Sequence, residues 1–361
     1  MPVYHLSQFP TPFPAMPASP SQDFDAAPAT RRGRRWLWTL LALLALLAAT
    51  FWLGPRNPFG AAMPSPRPLP PHDIAALADW VTASEAAVTD IKPGNAKGIV
   101  WAATPGQRTS WAVVYIHGFS ASRMETAPLA ESVAAQLGAN VFYTRLTGHG
   151  RADPAAMGEA SAQDWLADTL EAVRIGQTLG EHVLLIGCST GATLATWLGT
   201  SAEAARVNAQ VFISPNFGPK DRRADLVNGP WGQRLALWIQ GPTRSWTPET
   251  PQEAQAWTSS YPTQALFPMM ALVKKVRESD LSLFQTPVLV LYSPRDETVE
   301  PAQTLAAFAR LGSAHKSIEP VDYSKSKGQH VLAGAIKDPA AVAPMAETIV
   351  QWLKTLPKEP S

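Results

Sequence analysis

The chain has 361 residues, 46% of them hydrophobic and only 16% charged, so it can bury a large core and is not disordered as a whole. Its 30 lysines and arginines nearly cancel its 29 aspartates and glutamates, which argues against a surface-wide field that would draw nucleic acid or strongly acidic partners. The single cysteine, Cys188, excludes an intramolecular disulfide framework and a multi-cysteine metal site.

From the N-terminus, Met1 to Thr30 is rich in proline, serine and alanine without periodicity, and cannot repay the entropy of ordering. With the basic cluster Arg31, Arg32, Arg34 and Arg35 it predicts a disordered, basic-ended cytoplasmic tail over 1–35. Trp36 to Leu53 follows as an uncharged apolar run, close to the roughly 20 residues that cross a bilayer. The arginines before it predict a signal anchor with its N-terminus in the cytoplasm and the rest of the chain on the far side, periplasmic or extracellular. Cleavage as a signal peptide near Ala48-Ala49-Thr50, giving a secreted protein, is the alternative, although apolar residues continue through Phe51-Trp52-Leu53. A twin-arginine signal fits less well, and no polar face marks the run as a buried core helix. Residues 54–71 hold seven prolines, which predicts an extended linker lifting the next domain off the membrane.

From His72 onward, strand-like and helix-like blocks alternate, the pattern of a mostly parallel sheet covered by helices on both faces. The predicted strands, 98–102, 111–116, 141–145, 182–186, 210–214 and 287–292, are continuous apolar runs, as strands buried on both faces require. Between and after them, 127–137, 161–179, 190–199, 301–311 and 340–353 show helical spacing. One stretch, about 217–283, breaks the alternation with Trp231, Trp238, Trp246, Trp257, Phe267, Met269 and Met270 among prolines and glycines. It precedes the last-but-one strand, where loops at the C-terminal edge of a parallel sheet surround the ligand crevice, and it predicts an inserted cap.

The chemistry centres on Gly187-Cys188-Ser189-Thr190-Gly191, which joins an apolar strand to a helix-like block. This is the G-x-S-x-G pattern in its proper context, a strained turn that lifts a serine hydroxyl above the sheet. The following helix N-terminus supplies partial positive charge where an oxyanion would form. A second strand, Trp111 to Ile116, ends in His117-Gly118-Phe119. With these two elements the chain resembles the α/β-hydrolase superfamily, in particular its carboxylesterase and monoacylglycerol-lipase-like branch, over about 72–354.

The resemblance implies that Phe119 and Thr190 donate backbone N–H groups to the oxyanion. Ser189 as nucleophile needs a base held by an acid, in the order serine, acid, histidine. Only His315 and His330 lie downstream of Ser189; His330, in a polar loop before the last helical block, matches the family's histidine, and His315 begins a strand instead. Asp296, in the loop after strand 287–292, resembles the family's acid, with Glu297 and Asp322 as rivals. His117 and His149 read as turn histidines, and Cys188 as a buried side chain. Trp231, Trp238, Trp257 and Met270 are the cap residues expected to bind substrate.

The expected function is hydrolysis of a carboxylic ester, from a small-molecule or lipid substrate with an apolar acyl chain, through an acyl-enzyme. Acyl transfer, or thioester or amide cleavage, would use the same triad, and a decayed scaffold would leave a membrane-tethered binding module. Haloalkane and epoxide chemistry is disfavoured, since such relatives resemble this scaffold but carry aspartate at the position of Ser189. No metal cluster, phosphate loop or dinucleotide fingerprint stands in context, so no cofactor and no nucleic-acid partner are expected, while the oligomeric state is not readable.

Overall fold

The computed structural model describes residues 31–61 and 64–357, so the tail expected over 1–30 lies outside the described residues. The chain divides into two compact units, Met1–Trp52 and Leu53–Ser361. In the first, Arg31–Trp52 is a single helix. It begins inside the basic cluster read from sequence as tail, because arginine is itself a good helix former. Its stretch Arg34–Trp52 is long and apolar enough to cross a membrane, and none of it is buried inside the protein. At 1.5 Å per residue its 19 residues span about 28 Å, close to the hydrocarbon thickness of a bilayer.

The second unit is built on a seven-stranded sheet. In chain order its strands are β1 (Gly98–Val100), β2 (Thr109–Ile116), β3 (Asn140–Tyr143), β4 (Gly180–Cys188) and β5 (Ala209–Ile213). A two-stranded hairpin, β6 (Thr243–Ser245) with β7 (Ser260–Pro262), then precedes β8 (Val288–Tyr292) and β9 (Lys316–Pro320). The sheet order is β1-β3-β2-β4-β5-β8-β9. Only β1 runs antiparallel to its neighbour; the other pairs are parallel.

Side chains along the central strands alternate between two cores. Val114, Ile116 and Leu185 face the helices Ala162–Leu179, Thr190–Gly199, Leu266–Glu278 and Pro301–Arg310. Val113, Tyr115, Leu184 and Ile186 face Leu129–Leu137 and Val342–Thr355. Each such aliphatic side chain contributes about 1.5–3 kcal/mol on burial, and the demand from both faces is why these strands are apolar at every position. Local signals set the helix ends: Ser161 and Asp164 form a reciprocal capping box, and Pro301 opens its helix behind the Glu300 cap.

The proline-rich stretch does not stand off from this unit as a spacer. Asn57 Nδ2 donates to Asn228 Oδ1 and to the carbonyl of Phe267, at 2.9 and 2.8 Å, and Ser65 N–H donates to the carbonyl of Gln163. Arg67 pairs with the buried Asp168. Proline removes N–H donors but leaves carbonyls and intervening side chains free to dock, and the asparagine and arginine between the prolines do so.

The stretch expected as a cap is not uniform. Leu266–Glu278 packs in the main core through Met270, Leu272, Val273 and Val276 and covers the sheet. Before it lie the 3-10 segment Arg222–Asn228, the helices Gly232–Gln240 and Pro251–Ala256, and the β6–β7 hairpin.

Candidate active site

β2, β4, β5 and β8 are adjacent and parallel, so the loops after Ile116, Cys188, Ile213 and Tyr292 open on one edge of the sheet. Ser189 sits on the second of them with φ 52° and ψ −115°, a strained conformation for a residue bearing a Cβ. Its N–H donates to the carbonyl of Ile213 at 2.9 Å, and its carbonyl accepts from the N–H groups of Ala192, Thr193 and Asn216, so the strain is held from both sides. The turn is feasible because of its glycines. A Cβ on Gly191 would lie 2.1 Å from the carbonyl oxygen of Ile116, and one on Gly187 would lie 2.7 Å from the N of Ala192.

Asp296 and His330 meet across the next loops. His330 Nδ1 lies 2.8 Å from Asp296 Oδ2, and Asp296 Oδ1 accepts from the N–H groups of Thr298 and Val299 at 2.7 and 2.9 Å. The carboxylate is buried and acceptor-only, so Nδ1 is the donor of this pair and Nε2 is left with its lone pair. Glu297 and Asp322 make no such contact with His330 among the described residues, and His315 stands immediately before β9. The Ser189 hydroxyl itself makes no hydrogen bond within 3.5 Å among the described residues.

Phe119 and Thr190 follow β2 and β4, whose ends approach closely. A Cβ on Gly118 would lie 3.2 Å from Cβ of Ser189. The N–H groups of Phe119 and Thr190 have no hydrogen-bond partner among the described residues, whereas that of Gly118 donates to Glu125 Oε1 at 2.7 Å. Both ring nitrogens of His117 are engaged with backbone: Nε2 accepts from Leu146 N–H at 3.0 Å and Nδ1 donates to the carbonyl of Gly118 at 2.9 Å. Complete burial lowers its pKa to about 4 and drives that of His149 well below the usual imidazole value. Burial likewise raises the Cys188 thiol well above its ordinary range, so it is not a thiolate nucleophile.

Of the four substrate-binding side chains expected from sequence, one comes near these loops. Trp257 is buried with Ala121 and Val331, neighbours in sequence of Ser120 and His330. Trp231 instead packs at the root of the helix Gly232–Gln240 beside Gly54, Trp238 is 82% exposed, and Met270 is in the main core. Met269 is buried in the same core, and its sulfur accepts from Asn216 Nδ2, a residue whose backbone N–H donates to the Ser189 carbonyl. Tyr261, not singled out from sequence, stacks edge-on against Phe119 with ring centres 5.4 Å apart.

Sequence reading also missed Glu125. This carboxyl is buried behind Gly118, accepting from that N–H and from Tyr115 Oη at 2.8 Å. Burial raises its pKa to about 7 despite those bonds. A lone glutamate in a turn carries no sequence signal; only the fold shows it folded back under β2 and β4.

A strained serine between strand and helix, a carboxylate-held histidine and the N–H groups of Phe119 and Thr190 thus stand in the loops beyond the parallel strands. Residues 107–323 match the family model described as "Serine aminopeptidase, S33", and the chain belongs to this family of α/β-hydrolases. Solved structures share the fold. One, reported with the metagenome-derived lipolytic enzymes LipS and LipT, is 22% identical, covering 73% of this chain and 100% of that one, with a TM-score of 0.57. The soluble variant of monoglyceride lipase from Saccharomyces cerevisiae, bound to a substrate analogue, is 13% identical, with 71% and 90% covered and a TM-score of 0.55. The monoacylglycerol lipase of Paleococcus ferrophilus is 17% identical, with 71% and 97% covered and a TM-score of 0.52. No curated protein matches the chain.

Proposed function

We propose that this protein is a serine hydrolase of carboxylic esters in which Ser189 is the nucleophile, His330 the base and Asp296 its orienting acid. The observation that carries the reading is the 2.8 Å contact between His330 Nδ1 and Asp296 Oδ2, on the same sheet edge as the strained Ser189. With Nδ1–H held by Asp296, Nε2 is the atom that takes the Ser189 proton as Oγ attacks the ester carbonyl. The N–H groups of Phe119 and Thr190 receive the oxyanion, His330 protonates the departing alcohol, and water then releases the acid. Closing Ser189 Oγ onto His330 Nε2 is left to the substrate-bound state, where such bonds commonly tighten.

An apolar acyl chain is the substrate part we expect beside the Phe119–Tyr261 ring pair, with residues 217–262 acting as the cap. A peptidase specific for a free N-terminus would need a carboxylate facing the substrate ammonium. Glu125, the carboxyl buried behind Gly118, is turned onto Gly118 and Tyr115 and does not supply one. In this reading Arg34–Trp52 crosses the membrane with the arginines on the cytoplasmic side, and the hydrolase unit works on the far side.

A fluorophosphonate probe should label the wild-type chain and leave Ser189→Ala unlabelled; absence of both labelling and p-nitrophenyl ester cleavage would favour a binding module on a decayed scaffold. Rates on a series of acyl lengths should rise beyond acetyl, and a preference confined to acetyl esters would remove the apolar pocket.

A further inference from the structure

The direction of the Phe119 N–H is set by the peptide it shares with Gly118, and Gly118 cannot hold that peptide by itself. A Cβ at position 118 would lie 3.1 Å from Glu125 Oε2 and 3.2 Å from the Cβ of Ser189, closer than ordinary contact on two sides, which favours glycine beside the nucleophile. Glycine leaves both of its dihedral angles soft, so the peptide has to be held from outside. Beyond the glycine Cα, the Gly118 carbonyl accepts from His117 Nδ1 at 2.9 Å and from Ala121 N–H at 3.3 Å. Before it, Gly118 N–H donates to Glu125 Oε1 at 2.7 Å.

Glu125 is itself tightly fixed. It closes the short 3-10 turn Arg123–Glu125, its N–H donates to the Ser122 carbonyl at 3.0 Å, and the buried Tyr115 Oη donates to the same Oε1 at 2.8 Å. On its far side comes the loop that follows His330. A Cβ on Gly334 would lie 2.8 Å from the Glu125 carbonyl oxygen, and Ala335 N–H donates to the Ala127 carbonyl at 2.8 Å. The Cys188 thiol and the His330 imidazole are both close enough to act on the Glu125 carboxyl. Burying a carboxyl costs free energy, and this one stands among the oxyanion, nucleophile and histidine loops without belonging to the triad.

We infer that Glu125 is a positioning residue of the oxyanion site, holding Gly118 N–H so that the following peptide presents the N–H of Phe119 to the oxyanion. It touches no reacting atom. What it supplies is an acceptor oxygen that reaches Gly118, and its acid proton takes no part. Without that oxygen Gly118 N–H becomes a buried donor with no partner, and the glycine turns to find one, carrying the Phe119 N–H out of line. The inference rests on the roles proposed above for Ser189 and Phe119.

Three variants of the full chain separate reach from acidity. Glu125→Gln keeps the reach without the acid, Glu125→Asp keeps the acid but draws it back by one methylene, and Glu125→Leu removes the acceptor at similar volume. On a p-nitrophenyl ester, kcat should stay near wild type for Gln, fall severalfold for Asp, and fall about ten- to hundredfold for Leu, short of the loss on deleting an oxyanion donor outright. KM should hardly move. A trifluoromethyl ketone gives a parallel reading: Ser189 Oγ adds to its carbonyl carbon, the serine proton passes to His330, and the ketone oxygen becomes the anion among these N–H groups. Its binding should weaken by the same factor as kcat in each variant. Wild-type kcat in all three variants, each shown to be folded by circular dichroism, would overturn the inference. So would full activity in Asp with loss in Gln, which would make the acid rather than its reach the working feature, or a fall in kcat that leaves ketone binding untouched. If the Leu variant does not fold, the order of Gln and Asp decides alone. A wild-type chain that neither takes a fluorophosphonate label nor cleaves the ester would remove the Ser189 reading and this inference with it, whereas a labelled wild type with indifferent variants would sink the inference only.

Discussion

At the residue scale, the orientation of His330 depends on one carboxylate whose second oxygen is already committed to the backbone of Thr298 and Val299. Asp296→Asn should keep the loop but present an amide donor to Nδ1, favouring the wrong imidazole tautomer. We expect kcat to fall by about 10³–10⁴ with little change in thermal stability, read from ester hydrolysis and unfolding of the same preparation. Glu125 is a different case, a buried acid whose folded pKa of about 7 lies above its ordinary 4.5. Its contribution to stability is fully present below pH 4.5 and is lost as pH rises through 7, a span worth about 3 kcal/mol by linkage. Glu125→Gln keeps an oxygen for Gly118 N–H and Tyr115 Oη, so it should remove this loss. Melting temperatures from pH 5 to 8 should fall for the wild type relative to the variant, and parallel curves would refute the linkage.

At the element scale, the segments read most accurately from sequence are those whose pattern is set by local chemistry. The helix Thr190–Gly199 has the predicted bounds, and the strands from 111–116 to 287–292 appear within one or two residues. Their signals are a continuous apolar run and a glycine-flanked turn, each enforced by steric contacts a few residues away. For the proline-rich stretch, composition reports the stiffness of an extended linker and says nothing about docking. Its Arg67 is paired with Asp168, whose pKa is raised because burial outweighs the pull of the guanidinium. Arg67→Ala would leave that buried carboxylate with only the N–H and hydroxyl of Thr147 and should cost about 3 kcal/mol, the low end for a broken buried pair, measurable by chemical denaturation; an unchanged midpoint would mean that the stretch detaches freely.

At the scale of the whole molecule, the order of strands brings the chemistry together. Ser189 follows β4 at the centre of the sheet, Phe119 follows its neighbour β2, and Asp296 follows β8 two places to the other side. His330 lies beyond β9, 141 residues from Ser189 in sequence. Sequence offered His330 and Asp296 through their place in a chain order; the sheet supplies the reason that such an order converges. The stretch 217–283 is the least legible part. Tryptophans and methionines look alike in sequence whether they end up in the core, as Met270 does, or exposed, as Trp238 is.

What the sequence determined by itself was whatever local stereochemistry and periodicity impose: an apolar span with a basic flank, alternating strands and helices, and a serine on a glycine-bounded turn. Only the tertiary structure decided which apolar side chains meet each other and which are left exposed, and which polar groups share one buried space. Glu125 under Gly118, Met269 against Asn216 and Trp238 on an outer face are all of this second kind. The physical reason is that burial and electrostatic environment depend on distances between parts of the chain far apart in sequence, and no local pattern encodes those distances.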